Sequence, residues 1–410
     1  MVSSDLAPAA SAVRPATRAT YLAFMASGFA FASWASRIPQ VRDRLHLSPS
    51  ELGLVLLAIA IGSVLALPLS GPMVARMGSR RTVQLMAVLH AAGLAIAAVG
   101  FLAGVGPVLA GLFLFGFGIG AWDVAMNVQG AEVERRLGRS IMPRFHAGYS
   151  IGTVVGALVG SVIVALHVPV TAHLLVVAVA VAVVVPLGVR PFLPDHPTTS
   201  EDGVAAAGEE APSRSWTAWT ERRTLLIGVF VLAFAFAEGT ANDWIGVAVI
   251  DGYRTPPAVG TLGFAVFLAA MTTGRWFGPG LLDRYGRVRV VRGLGLVALI
   301  GLVVFVSGVS VGLAFVGAAL WGVGVSLGFP VGMSAGADDP RRAAARVSVI
   351  SSIGYCAFLA GPPLVGLLGQ HLGVLRAQVA VAVLLALAAA VAGNVRPLPT
   401  ATTRDTTDTP

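Results

Sequence analysis

The stretch Phe234–Trp244, FAFAEGTANDW, decides how this chain is read. It sets two carboxylates, Glu238 and Asp243, and the amide of Asn242 inside a run otherwise apolar enough to cross a bilayer. An ionisable group at that depth costs roughly 2.5–3.5 kcal/mol on insertion scales, so it belongs against a cavity or a partner. The stretch has an earlier echo: Gly28–Ser33 reads GFAFAS, which puts the neutral Ser33 where the later copy has Glu238. Working outward from this echo, the chain divides into two membrane halves arranged about buried polar groups.

Composition fixes the class. The 410 residues are 56% hydrophobic and only 12% charged, with mean hydropathy +0.82, against about 25% charged in soluble proteins. This is an integral membrane protein whose first partner is the lipid bilayer. The net charge of +8 does not indicate nucleic acid, because the basic residues, all arginine, are dispersed in short loops between apolar runs. The single cysteine, Cys356, excludes an intrachain disulfide and a cysteine metal cluster, and is expected to be a small buried hydrophobe. No metal and no cofactor is expected.

A span needs about 20 mostly apolar residues. Twelve satisfy this, near 19–38, 52–73, 82–102, 107–130, 145–166, 172–190, 224–248, 258–280, 290–308, 311–334, 347–369 and 374–395. The Ala32–Ser36 run, ASWAS, has the look of a signal-peptidase site, but cleavage there would remove the first member of the repeat. With both termini placed inside, the inner segments gather Arg76, Arg80 and Arg81, then Arg135, Arg136, Arg139 and Arg144, then Arg284, Arg287, Arg289 and Arg292, among others. The outer loops hold only Arg37, Arg42, Arg44, Arg254 and Arg376. That asymmetry predicts two cytoplasmic termini in a bacterial-type plasma membrane. The expected organisation is a cytoplasmic tail (1–18), a six-helix bundle (19–190), a polar cytoplasmic linker (191–223) in which Glu209 and Glu210 are solvated, a second six-helix bundle (224–395) and a second tail (396–410).

The halves repeat in detail. Arg76-Met-Gly78 and Arg284-Tyr-Gly286 follow the second and eighth spans, Gly116-Phe-Gly118 corresponds to Gly322-Val-Gly324, and Ser150-Ile-Gly152 to Ser352-Ile-Gly354. Parallel six-span repeats with a site between them near the midplane are a transporter architecture. Two other motif matches are set aside. Gly148-Tyr-Ser150-Ile-Gly152 resembles a hydrolase elbow but lacks the strand-turn-helix setting; its glycines recur every four residues, as in close helix packing. The glycine runs 116–120 and 322–328 lack any strand or phosphate-binding context.

At these residues the chain resembles the major facilitator superfamily over essentially its whole length. Asp283-Arg284-Tyr285-Gly286-Arg287 is similar to the second-half copy of the inner-loop motif G-x-x-x-D-R-x-G-R. The first-half copy, from Gly71 through Arg76, Gly78 and Arg81, departs from it by placing Ala75 where the family usually has Asp. Trp34-Ala-Ser-Arg37-Ile-Pro39, Trp122-Asp123-Val-Ala-Met-Asn127, Arg144-Phe-His146-Ala-Gly148 and Glu238 through Trp244 resemble the YbjJ- and MosC-like branch. The resemblance implies an all-α fold of twelve transmembrane helices in two pseudo-symmetric six-helix bundles, no catalysis, and sugar- or cyclitol-like ligands. It also implies that the first, fourth, seventh and tenth spans line the cavity.

Those spans carry the candidate chemistry. Asp123 and Asn127 share one face of the fourth span at i, i+4. Glu238 and Asn242 share a face of the seventh, with Glu238 roughly 21 Å from its inner end and Gly239 expected to permit local unwinding. Asp243 points elsewhere, nearer the outer end. Asp123, Glu238 and Asp243 are the proton-coupling candidates, since a carboxylate buried without a partner holds a proton near neutral pH. Trp34, Trp122, Trp244 and Trp321, one per lining span, join Asn127 and Asn242 as substrate-cavity candidates. Arg76, Gly78, Asp283, Arg284 and Gly286 are assigned to gating, with Arg275, the one cation within a span, whose expected companions are bundle carboxylates or a substrate anion. Arg37 is expected to snorkel at the outer surface, His146 to be interfacial, and His90 to pack or hydrogen-bond.

The expected function is an alternating-access secondary transporter, monomeric and proton-coupled, with a small-molecule substrate. The alternatives are a proton-coupled multidrug or metabolite exporter, which the lack of an arginine in the fourth span disfavours, and a non-transporting membrane sensor.

Overall fold

The computed structural model describes residues 6–138, 141–195, 217–339 and 342–398, and the side chains of all these except 6–11 and 344. Glu209, Glu210, Arg139, Arg341 and Arg404 lie outside the described residues. Helices α1 (Leu6–Ala35), α2 (Ile38–Leu45), α3 (Pro49–Gly100), α4 (Val105–Leu137), α5 (Met142–Ala165) and α6 (Val170–Gly188) precede the linker. After it come α7 (Arg222–Tyr253), α8 (Pro257–Tyr285), α9 (Arg287–Val306), α10 (Val311–Val325), α11 (Gly328–Gly336), α12 (Ala343–Leu372), α13 (Val374–Ala377) and α14 (Val379–Val391).

Ten helical stretches among the described residues are long and apolar enough to cross a membrane. One of them, α3, holds two passes, turning at Gly78, where φ 80° and ψ 157° interrupt the helix. With α1 lying along α5, the bundle has its twelve spans. Local sequence sets several boundaries. Ser48 accepts from the Glu51 amide while Glu51 accepts from the Ser48 amide, a reciprocal cap with Pro49 at the first helical position. The tenth span, expected unbroken over 311–334, instead breaks between α10 and α11 at Ser326 and Leu327.

The repeat is written in backbone contacts. A Cβ on Gly116 of α4 would lie 2.1 Å from the Ile59 carbonyl, and one on Gly322 of α10 would lie 2.4 Å from that of Phe267. Two residues on, on the other side of each helix, the pattern recurs, with Gly118 against the His90 amide and Gly324 against that of Ala298. Equivalent helices therefore touch main chain to main chain at equivalent positions in both halves. The Gly148–Gly160 series does the same work for α5 against α1, with Met25 as a backbone neighbour of Gly152.

Between the halves, α3 packs on α12 and α5 on α8. The hydrogen bonds that join them lie at the end of the bundle remote from both termini. Arg42 pairs with Asp251, Thr261 donates to the Ser36 carbonyl at 3.3 Å, Ser161 to that of Ala258 at 3.0 Å, and Ser50 to that of Gly366 at 3.5 Å.

Four expectations need correction. The first helix starts at Leu6, well ahead of residue 19, and buries Val13 and Ala16 against the bundle, so the tail is partly structured. Arg37 does not snorkel: it is 2% exposed, and donates from Nε to His173 Nδ1 at 2.9 Å and from Nη2 to the Val168 carbonyl at 3.1 Å. Helix α7 runs through Gly239 without unwinding. Cys356 is exposed, not buried, on α12.

Candidate functional site

Glu238 sits in the continuous α7, flanked by Ala237 and Gly239, neither of which can satisfy a carboxylate. Its partner comes from α8: Arg275 Nη2 donates to Glu238 Oε2 at 2.8 Å. The same guanidinium donates from Nε to the Ser326 carbonyl at 3.2 Å. That carbonyl is open for a reason visible in the sequence. The residue four positions on is Pro330, which has no N–H to close the helical bond. Gly274 brings α8 close enough, since a Cβ there would lie 2.4 Å from Ser326 Oγ. Arg275 thus clamps a carboxylate of one helix to the broken turn of another.

Asp123 on α4 has no such partner. Asn127 Nδ2 donates to the Asp123 carbonyl at 2.9 Å and to its carboxylate at 3.3 Å, and among the described residues no cation pairs with it. Both carboxylates face one place. Tyr149 of α5 lies within electrostatic reach of Asp123, Glu238 and Arg275 together, Tyr355 of α12 reaches Asp123, and His146 of α5 reaches Arg275. Asp123, Asn127, Tyr149, Glu238, Asn242, Arg275 and Tyr355 are all half-buried although they stand along membrane helices, so accessible space runs between the halves. Arg275 is paired with Glu238, so Asp123 is left without a countercharge among the described residues when it is ionised.

On the same face of α7, Asn242 is half-buried and its Oδ1 is a buried acceptor with no donor. The Thr240 hydroxyl is likewise unpartnered. Asp243 is half-buried and forms no hydrogen bond among the described residues. The four tryptophans do not line the opening in this conformation: Trp34, Trp122, Trp244 and Trp321 are each at most 1% exposed. Trp122 meets His90 edge-on at 5.7 Å, and Trp321 meets Phe267 and Phe305 at 5.6 and 5.8 Å. His90 packs and hydrogen-bonds, donating from Nδ1 to the Phe115 carbonyl at 3.0 Å.

The gating candidates other than Arg275 lie at the terminal end of the bundle. Gly286, with φ 77° and ψ 155°, repeats the turn of Gly78. Arg76 and Asp283 are exposed, and Arg284 stands 5.3 Å over the Tyr285 ring. Outside the spans, Glu221 receives Arg346, Thr224 and Arg342. This holds its carboxyl down to about 2, with the Arg346 hydrogen bond the largest cause. Asp338 takes Arg287 at 2.6 Å and Arg223 at 3.1 Å.

Sequence reasoning did not place Tyr149, Tyr355 or His146 in the site, nor pair Arg275 with Glu238. For the pairing a signal existed: Pro330 leaves a carbonyl needing a donor, and Arg275 is the cation within a span.

The chain matches the Major Facilitator Superfamily over residues 20–356. It belongs to that superfamily. It is 33% identical over 349 residues to the uncharacterized transporter y4wD of Sinorhizobium fredii, covering 85% of this chain and 89% of that protein. To the membrane protein MosC of Rhizobium meliloti it is 28% identical over 376 residues, covering 89% and 87%. In fold it is similar to the nucleoside transporter NupG, with TM-score 0.74 at 13% identity over 94% of this chain and 98% of that one. It is also similar to the fucose:proton symporter FucP of E. coli, with TM-score 0.63 at 14% identity over 94% and 99%.

Proposed function

We propose that this superfamily member is a proton-coupled secondary transporter that moves a small hydroxylated solute, sugar- or cyclitol-like, by alternating access across a bacterial plasma membrane. The observation that carries this reading is the unequal charge of the site: Arg275 is committed to Glu238 and Ser326, while Asp123 has only the amide of its own helix. A carboxylate left without a cation at membrane depth takes up a proton or meets a cationic ligand. The unpartnered Asn242 oxygen suits a hydroxyl group. The folds shared with a nucleoside transporter and a fucose:proton symporter support a hydroxylated cargo. On this reading both termini are cytoplasmic, the joined end of the bundle is the outer one, and the conformation corresponds to an inward-open state of the cycle.

Ligand binding raises thermal stability by mass action. A screen of sugars, cyclitols, amino acids and cationic drugs at two pH values is expected to give stabilisation by sugars or cyclitols that Asn242→Ala removes. Stabilisation by cationic amphiphiles alone would replace this reading with a drug exporter.

A further inference from the structure

The two turns that follow the second and eighth spans have one backbone shape and different chemistry. Gly78 has φ 80° and ψ 157°, Gly286 φ 77° and ψ 155°. Three residues before the glycine, the second-half turn has Asp283 and the first-half turn has Ala75. In both, a helix starts directly after the glycine, so its first amide groups need acceptors.

In the first half the acceptor arrives from a distant part of the chain. The Ser79 amide donates to Asp195 Oδ2 and the Ser79 hydroxyl to Asp195 Oδ1, both at 2.5 Å. Asp195 lies just past the sixth span, at the head of the linker. Because the Ser79 hydroxyl gives its proton to Asp195, it must accept from Gln129. The amide of Gln129 then donates to Ser79 Oγ and to the Leu193 carbonyl, both at 3.1 Å, and accepts from the Leu193 amide at 2.9 Å. Ser79 and Gln129 are fully buried, and Phe192 and Leu193 are each 5% exposed. Gln84 adds a further tie to the Pro186 carbonyl at 2.8 Å. The strap 186–195 is thus fastened to the third and fourth spans, with a carboxylate at the positive end of a helix.

Among the described residues the second half has no counterpart. Asp338 engages the Arg287 side chain, Arg223 ties the end of the twelfth span through the Asn394 and Arg396 carbonyls, and no described carboxylate takes the Arg287 amide. Asp283 is exposed and makes no hydrogen bond among the described residues.

We propose that Asp195 is a positioning residue that supplies, from the linker, the acceptor that the amide following the first-half turn needs. It holds that turn fixed, and the second-half turn, with Asp283 unengaged, is the one that changes partners during the cycle.

Amide hydrogen exchange on the full chain in phosphatidylglycerol–phosphatidylcholine nanodiscs tests this. In the wild type, amides 79–82 should exchange at least about tenfold more slowly than 287–290. Asp195→Ala should speed 79–82 by about tenfold and leave 287–290 unchanged. Equal protection of the two turns in the wild type, or no change at 79–82 in Asp195→Ala, would overturn the proposal. If Asp195→Ala yields no folded protein, the wild-type comparison and Ser79→Ala, which removes one of the two bonds, decide the matter by the same readout.

Discussion

The fourth span and the tenth occupy equivalent places in the two halves, packed by equivalent glycines, yet they treat their polar residues in opposite ways. The fourth runs unbroken past Asp123 and lets Asn127 of its own helix satisfy the carboxylate. The tenth breaks at Ser326, and the freed carbonyl helps to fix Arg275 on Glu238. Duplication has conserved the scaffold, where main chain meets main chain and substitution is costly. The side chains that face the space between the halves are free to diverge, and there they have. One half contributes a neutralised carboxylate and the other an uncompensated one, an asymmetry that lets a single proton or cationic group change the charge of the site.

Ways to break this comparison differ in expected size. The largest effect is expected at Arg275, since its removal strands Glu238 among helices. Arg275→Ala should destabilise the protein by about 1–3 kcal/mol and abolish uptake into vesicles, and adding Glu238→Gln should recover most of the stability. Thermal unfolding of the single and double variants checks this, and a double variant no more stable than the single would show that the pair does not hold α7 to α8. Next come the matched glycines. Gly116→Ala and Gly322→Ala should each cost about 1–3 kcal/mol through overpacking, alike within about 1 kcal/mol, whereas Gly106→Ala, with open space around it, should cost under about 0.5 kcal/mol. Unequal costs at 116 and 322 would mean that the scaffold is not duplicated in energy.

A smaller effect belongs to Glu221. Its carboxyl titrates lower in the folded protein, about 2 against an ordinary 4.5, so its contribution to stability is complete above the unfolded value and is lost as pH falls from about 4.5 toward 2. Glu221→Gln should flatten that part of the stability–pH profile; an unchanged slope would remove the clasp with Arg346 and Arg342 from the account. The smallest effect is expected at the remote end, where Arg42→Gln should cost under about 1 kcal/mol, and less at high salt. Spin-label distances should nonetheless show a larger fraction of molecules separated at that end.

Much of the scaffold was legible in the sequence because hydrophobic run length and glycine spacing are local and periodic. Twelve spans, the division into halves and the paired glycines all follow from such patterns. The break in the tenth span was missed because Pro330 lies within an apolar run that reads as one helix. The burial of Arg37 was missed because its acceptors, His173 and the Val168 carbonyl, come from another span and the loop before it. Asp123 and Glu238 could be found as charges out of place. Which of them has a cation depends on a contact between helices seven and eight, and Asp195 meets Ser79 across more than a hundred positions of chain. Pairings of that kind are set by how helices lie against one another.

The central claim is that Asp123, the carboxylate without a cation, carries the coupling proton. Substrate-driven proton flux into liposomes containing the purified protein tests it most directly, with Asp123→Asn and Glu238→Gln measured beside the wild type and solute exchange at equilibrium as the control for folding. The account predicts that Asp123→Asn loses proton flux while retaining exchange, and that Glu238→Gln, by releasing Arg275, impairs both. Wild-type proton flux in both variants would contradict it.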